Sequence, residues 1–148
     1  NYYHKNPKNV KIFLILTITL EWVERAEDEF SVAKMIWQGK NPIYRIICFY
    51  AQQCVEKYLK AWIQNSNVPF TRKHNLKELL DLIVPFIPSW STWESDLSNL
   101  SRHVVDTHFP SDSATANDAM HAMQTCKMVR QAVREQLKLL FEENENNP

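Results

Sequence analysis

Tyr44-Arg-Ile-Ile-Cys-Phe-Tyr-Ala-Gln-Gln-Cys-Val-Glu-Lys-Tyr-Leu-Lys-Ala-Trp-Ile63 decides the fold class. Ile47, Cys54, Val55, Leu59, Trp62 and Ile63 recur at intervals of three, four and seven, the period of an amphipathic helix with one face in a core. Gln52, Gln53, Glu56, Lys57 and Lys60 share the same helical spacing and form a separate polar stripe. The stretch predicts a helix from about Pro42, tolerated in a first turn, to about Asn65, where Ser66-Asn67-Val68-Pro69 breaks the pattern.

Helices also flank it. Trp22, Ala26, Phe30, Ala33 and Ile36–Trp37 line one side of a helix expected from about Thr19 to Gln38, with Gly39 as its C-terminal cap and Pro42 barring continuation. Asn75 with Glu78 three residues later is a capping-box pattern before Leu76, Leu79, Leu80 and Ile83, and Pro85 and Pro88 end that helix. Ser91 with Glu94 repeats the signature and predicts a fourth helix carrying Trp93, Leu97, Leu100 and Val104. Thr115 with Asp118 opens the last, expected to reach about Glu143, with Ala119, Ala122, Cys126, Val129, Val133, Leu137 and Leu140 in one stripe. Five helices with short connections predict an all-α, up-and-down bundle. Trp90 and Trp93 are expected at the surface, as a dimer contact.

Composition narrows the function. The chain has 148 residues, 45% hydrophobic and 23% charged, which suits one domain. Its single glycine, Gly39, excludes Gly-rich phosphate loops and dinucleotide fingerprints, which need several at fixed spacing, and disfavours tight hairpins. Seventeen basic residues balance seventeen acidic ones, so no global field draws nucleic acid. Glu142, Glu143 and Glu145 lie in the tail; without these three the body is slightly basic, which permits weak phosphate binding. Cys48, Cys54 and Cys126 form no C-x-x-C pair, so buried thiols in a reducing, cytoplasmic setting are expected rather than a zinc site or a disulfide framework. Neither a metal nor another cofactor is predicted.

Lys5, Lys8 and Lys11 precede Ile12-Phe-Leu-Ile-Leu-Thr-Ile-Thr-Leu20, an arrangement that loosely mimics a signal peptide without a small-residue cleavage site. The apolar run is too short to span a bilayer. Residues 1–18 read as an extension, a docked strand or a fused leader, ahead of a domain over 19–143 and a disordered tail over 144–148.

The order of four segments carries a resemblance: Trp22-Val-Glu-Arg-Ala-Glu-Asp-Glu-Phe30, Phe49-Tyr-Ala-Gln-Gln-Cys-Val-Glu-Lys-Tyr-Leu-Lys-Ala61, Lys73-His-Asn-Leu-Lys-Glu-Leu-Leu80 and Leu100-Ser-Arg-His-Val-Val-Asp-Thr-His-Phe-Pro-Ser-Asp112. Together they resemble the HEPN domain (higher eukaryotes and prokaryotes nucleotide-binding), over about residues 19–140, in its nucleotidyltransferase-associated prokaryotic form. The resemblance implies a helical bundle that usually dimerises and is often encoded beside a minimal nucleotidyltransferase, as a toxin–antitoxin-like pair. Some members are metal-independent ribonucleases with an Arg-x4-6-His motif; others keep the fold without it and bind nucleotides.

Arg102 and His108 have that spacing. In such chemistry an imidazole moves the proton of the attacking RNA 2′-hydroxyl, and a guanidinium stabilises charge on the phosphorane. Six Arg and five His supply such spacings by composition alone, so the position of the pair carries the reading. The nucleotidyltransferase-associated branch reads Arg-Tyr-Pro where this chain has His108-Phe109-Pro110; on that alignment His108 replaces a phosphate-contacting Arg. Lys57 and Lys60 are candidate phosphate contacts, although Glu56 and Lys60 also form a favoured i,i+4 pair. His103 is a substitute base, and Asp28 with Gln53 is a candidate link between the first two helices. His74 is expected to stabilise its loop, and His121, beside the core stripe, has no evident partner. The leading expectation is a dimeric module that binds nucleotide or RNA and acts with a nucleotidyltransferase, without a membrane. A ribonuclease toxin is the alternative, and a non-catalytic scaffold the second alternative.

Overall fold

The computed structural model describes residues 6–69, 75–106 and 113–138, with residues 103–106 by backbone alone. Among the described residues five α-helices follow in order: α1 (Pro7–Trp37), α2 (Tyr44–Asn65), α3 (Leu76–Ile83), α4 (Glu94–Asp106) and α5 (Ala116–Gln136), with a 3₁₀ turn over Pro88–Trp93 leading into α4. No strand occurs among the described residues. The all-α bundle expected from the sequence is the fold of the protein.

Helix α2 is the axis of the bundle, packing on α1, α5, α4 and α3. Thirteen of its 22 residues are buried, so the picture of one core face and one solvated face does not hold. Gln52, Glu56 and Lys60 are buried along with the apolar positions. The reason is geometric: a helix surrounded by four others has almost no free circumference, and its polar groups must find partners inside. The helix ends as a Schellman motif. Val68 N–H donates to Ile63 O and Asn67 N–H to Gln64 O, both at 3.2 Å, with Asn67 in the left-handed region at φ 55°, a conformation asparagine tolerates.

Helix α1 is longer than expected. It begins at Pro7, so residues 7–18 are helical rather than a docked strand, and position 19 lies inside a continuous helix. Asn6 caps it by accepting from the Lys8 N–H at 3.1 Å, and Pro7 occupies the first helical position; this Asn-Pro start signal outweighs the β-branched content of the run that follows. At 1.5 Å per residue α1 is about 46 Å long and α2 about 33 Å, and Ile12, Phe13 and Leu14 are exposed.

Two of the helix starts follow the sequence. Asn75 accepts from the Lys77 N–H at 2.8 Å. Thr115 and Asp118 form the full capping box, with bonds of 3.1 and 2.9 Å. The Ser91 cap does not form, because Pro88 starts a 3₁₀ turn that runs into α4. That turn inverts the expectation for its tryptophans: Trp90 and Trp93 stack at 4.3 Å, Trp90 meets Trp62 at 6.4 Å, and both are buried. Gly39 lies one residue past the Gln38 cap without positive φ. The predicted end of α5 near Glu143 and the tail 144–148 lie outside the described residues.

Candidate functional site in the cleft between α4 and α5

Leu97 and Leu100 bury one side of α4, and the Asp96, Asn99 and Arg102 side chains, three residues apart, follow a neighbouring line on the same helix. On α5, Ala119, Ala122, Cys126, Val129 and Val133 face the core. Asp118, His121 and Thr125, at intervals of three and four, flank that stripe. The two polar lines meet in a cleft of about 200 Å³ lined by Asp96, Asn99, Leu100, Arg102, Asp118, His121, Ala122 and Thr125. It joins hydrogen-bond donors, carboxylates and a small apolar floor. The Asp118 carboxylate is fixed there by its bond to the Thr115 N–H.

Arg102, singled out from the sequence, lines this cleft and is exposed. His103 follows it on α4, a helical step of about 100° away, and its side chain is not among those described; His108 and His74 lie outside the described residues. His121 was expected to lack a partner, yet it shares the cleft with Arg102. Its spacing with Asp118 and Thr125 was the available signal. Asp96, Asn99 and Thr125 were missed because polar residues on a helix flank look like an ordinary solvated face.

Lys57 and Lys60 are placed elsewhere, in the seam between α1 and α2. Lys57 Nζ donates to Gln53 Oε1 at 2.9 Å and lies 3.2 Å from Glu56 Oε2 and 3.4 Å from Glu29 Oε1. Lys60 is 3.7 Å from Glu56 Oε1, the i,i+4 pair expected, and its ammonium sits 5.2 Å from the centre of the Trp22 ring. Burial lowers the Lys60 ammonium below its ordinary pKa against the pull of Glu56. Burial also raises the Glu29 carboxyl, opposed by Lys57. Gln53 bonds to Gln52 and Lys57, while Asp28 is exposed; the α1–α2 link is made instead by Glu27 and Glu29.

A second polar cluster ties three helices. Glu27 of α1 accepts from Arg130 Nε at 2.7 Å, Arg130 Nη2 at 2.6 Å and Tyr58 Oη at 2.5 Å. Arg134 Nη1 lies 3.4 Å from Glu27 Oε1 and 3.3 Å from Tyr58 Oη. Burial alone would raise the Glu27 carboxyl, but Arg130, Tyr58 and Arg134 hold it below its ordinary value. Because its groups bond to one another across three helices, this cluster is a brace.

The model of the HEPN domain family matches residues 19–136. The chain belongs to the HEPN domain family. No curated protein and no solved structure gives a significant match to it. In this HEPN domain α4 and α5 carry the cleft, and α1, α2 and the Glu27 brace hold the bundle behind it. Among the described residues no group of His, Cys, Asp and Glu is arranged to hold a metal ion, and no helix is long and apolar enough to cross a membrane.

Proposed function

We propose that this HEPN domain binds nucleotide or RNA, pairs with a second copy of itself, and acts with a minimal nucleotidyltransferase in a toxin–antitoxin-like couple in the cytoplasm. The observation that carries the ligand is Arg102 in the α4–α5 cleft: a guanidinium in a concave site presents a planar fork of donors matched to phosphate. Family membership supports the same ligand class. Lys57 and Lys60 contribute to this reading through the architecture, since the Lys57 pair with Glu29 and the seat of the Lys60 ammonium over the Trp22 ring fasten α2 to α1.

Calorimetric titration of the purified chain with AMP, ATP and a short single-stranded RNA tests the proposal. Saturable heat with at least one of them, lost in Arg102→Ala, is the expected result. No heat at millimolar nucleotide and none with RNA leaves the scaffold reading. Sedimentation of the chain alone and with the nucleotidyltransferase co-expressed reads the two assembly steps.

The exposed position of Arg102 also favours a second reading, a metal-independent ribonuclease in which Arg102 acts with His108. The 2′-oxygen would attack the adjacent phosphorus and the 5′-oxygen would leave, giving a 2′,3′-cyclic phosphate and a 5′-hydroxyl. Incubation of the dimer with RNA and a chelator is expected to give little cleavage. Robust cleavage abolished by His108→Ala would reverse the order of the two readings.

A further inference from the structure

We infer that His121 is the second phosphate ligand of the α4–α5 cleft, and that the cleft takes one nucleotide unit with its phosphate between Arg102 and His121 and its base toward Asp96, Asn99 and Thr125. The inference rests on the proposal that the cleft binds nucleotide or RNA, and names the ligand's size, orientation and second anchor.

Depth along the helices sets the orientation. Arg102 is four residues before the end of α4 at Asp106, about 6 Å from it, and His121 is five residues into α5 from Ala116, about 7.5 Å. The two groups therefore stand at similar distances from the end of α4 and the start of α5, one on each wall of the cleft. Asp96 and Thr125 lie deeper, at about 15 Å and about 13.5 Å on the same count. Along α4 the cation and the deep carboxylate are about 9 Å apart, which separates a phosphate end from a base end. An imidazole N–H donates to a phosphate oxygen from whichever ring nitrogen carries the proton, and Arg102 supplies paired donors.

At the other end the Asp96 carboxylate and the Asn99 and Thr125 side chains match the amino, imino and hydroxyl groups of a nucleoside. Leu100 and Ala122 give the ring an apolar floor. A cleft of about 200 Å³ is smaller than the usual small-molecule pocket, so it takes at most one nucleotide, part of which stays outside the walls. Charge limits the phosphate as well: Asp118 and Asp96 stand in the same cleft, so a single phosphate is favoured over a triphosphate. Asp118 is partly compensated by its place in the first turn of α5, where it accepts from the Thr115 N–H.

Titration of the full chain with AMP, ATP, adenosine and a short single-stranded RNA, in wild type, Arg102→Ala, His121→Ala, His121→Gln and Asp96→Asn, tests the inference. His121 and Asp96 are exposed, so thermal melting is expected to stay at the wild-type value. His121→Ala is expected to weaken AMP by about tenfold, the loss of one charged-group hydrogen bond, and to leave adenosine unchanged. His121→Gln, which keeps an N–H donor, recovers part of the loss; Asp96→Asn weakens AMP and adenosine alike. ATP binds no more tightly than AMP.

If the natural source of the unit is RNA, the oligonucleotide saturates at lower concentration than AMP and loses the same factor in His121→Ala. The inference is overturned if His121→Ala binds AMP and RNA within twofold of wild type while Arg102→Ala loses both, and the broader proposal then survives. Equal losses of AMP and adenosine in His121→Ala also overturn it. A wild-type chain that binds neither nucleotide nor RNA overturns both.

Discussion

Glu27 shows how one half-buried carboxylate organises three helices. It sits on α1, takes a forked contact from Arg130 of α5 and a phenol from Tyr58 of α2, while Arg130 also stacks 4.7 Å from the centre of the Phe30 ring. Glu27→Gln keeps the volume and removes the charge that satisfies both arginines. It is expected to destabilise the fold by about 2 kcal/mol, below the cost of breaking a fully buried pair because these side chains keep some contact with solvent; urea unfolding at neutral pH measures it. The pH dependence has a definite sign. The native carboxyl lies below its ordinary 4.5, so its contribution is complete above that value and is lost as the pH falls through it toward the native pKa. Wild type should therefore lose more stability than Glu27→Gln when unfolding is compared at about pH 6 and about pH 3.5. Equal losses would remove Glu27 from the acid transition.

At the scale of elements, caps and stops decide where each helix lies, and the cleft depends on them. The Thr115–Asp118 box fixes the first turn of α5, which carries Asp118 and leads into the turn that brings His121 to the site. Thr115→Ala should cost about 1 kcal/mol of stability and also weaken nucleotide binding in the same calorimetric assay, because the first turn frays. The two effects together would distinguish a positioned wall from an incidental surface. Caps were also the most legible features of the sequence: Asn75 and Thr115 cap as their patterns predict, since each needs only a side-chain oxygen near two backbone amides. Ser91 had the same pattern and failed, because Pro88 and the Trp90–Trp93 stack favour a 3₁₀ entry. Asn6-Pro7 was legible in principle and lost to the apolar run behind it, which suggested a leader before it suggested a helix.

For the whole molecule, the decisive fact is the enclosure of α2. Leu59 is fully buried at its centre, and Leu59→Ala should destabilise by about 3 kcal/mol with little effect on nucleotide affinity. Cys48, Cys54 and Cys126 are free and buried. Burial pushes the Cys48 thiol up to about 11, and the neighbouring Cys126 and burial raise Cys54 as well. All three should resist a thiol reagent in the native state and react together on unfolding, so labelling time courses read global opening. The period of apolar residues carried the bundle, because burial repeats along a helix. The site was much less legible. Arg102 was found through a motif, but His121, Asp96 and Thr125 come together only when two helices are laid side by side, a relation that spacing within either helix does not contain. The enclosed polar stripe of α2 escaped for the same reason: Glu56 and Lys60 look solvated until α1 covers them.

That enclosure has a consequence for how this chain can change. Because α2 fixes the positions of the other four helices through contacts on its own circumference, the outer flanks of α4 and α5 carry little of the structure's weight. Asp96, Asn99, Arg102 and His121 can then be exchanged in combination, as a library of cleft variants, while the bundle remains intact. The same fold could be retuned from one ligand to another by editing a few exposed positions, whereas changes along the Gln-Gln-Cys-Val-Glu-Lys stretch would cost the chain its shape before they altered what it binds.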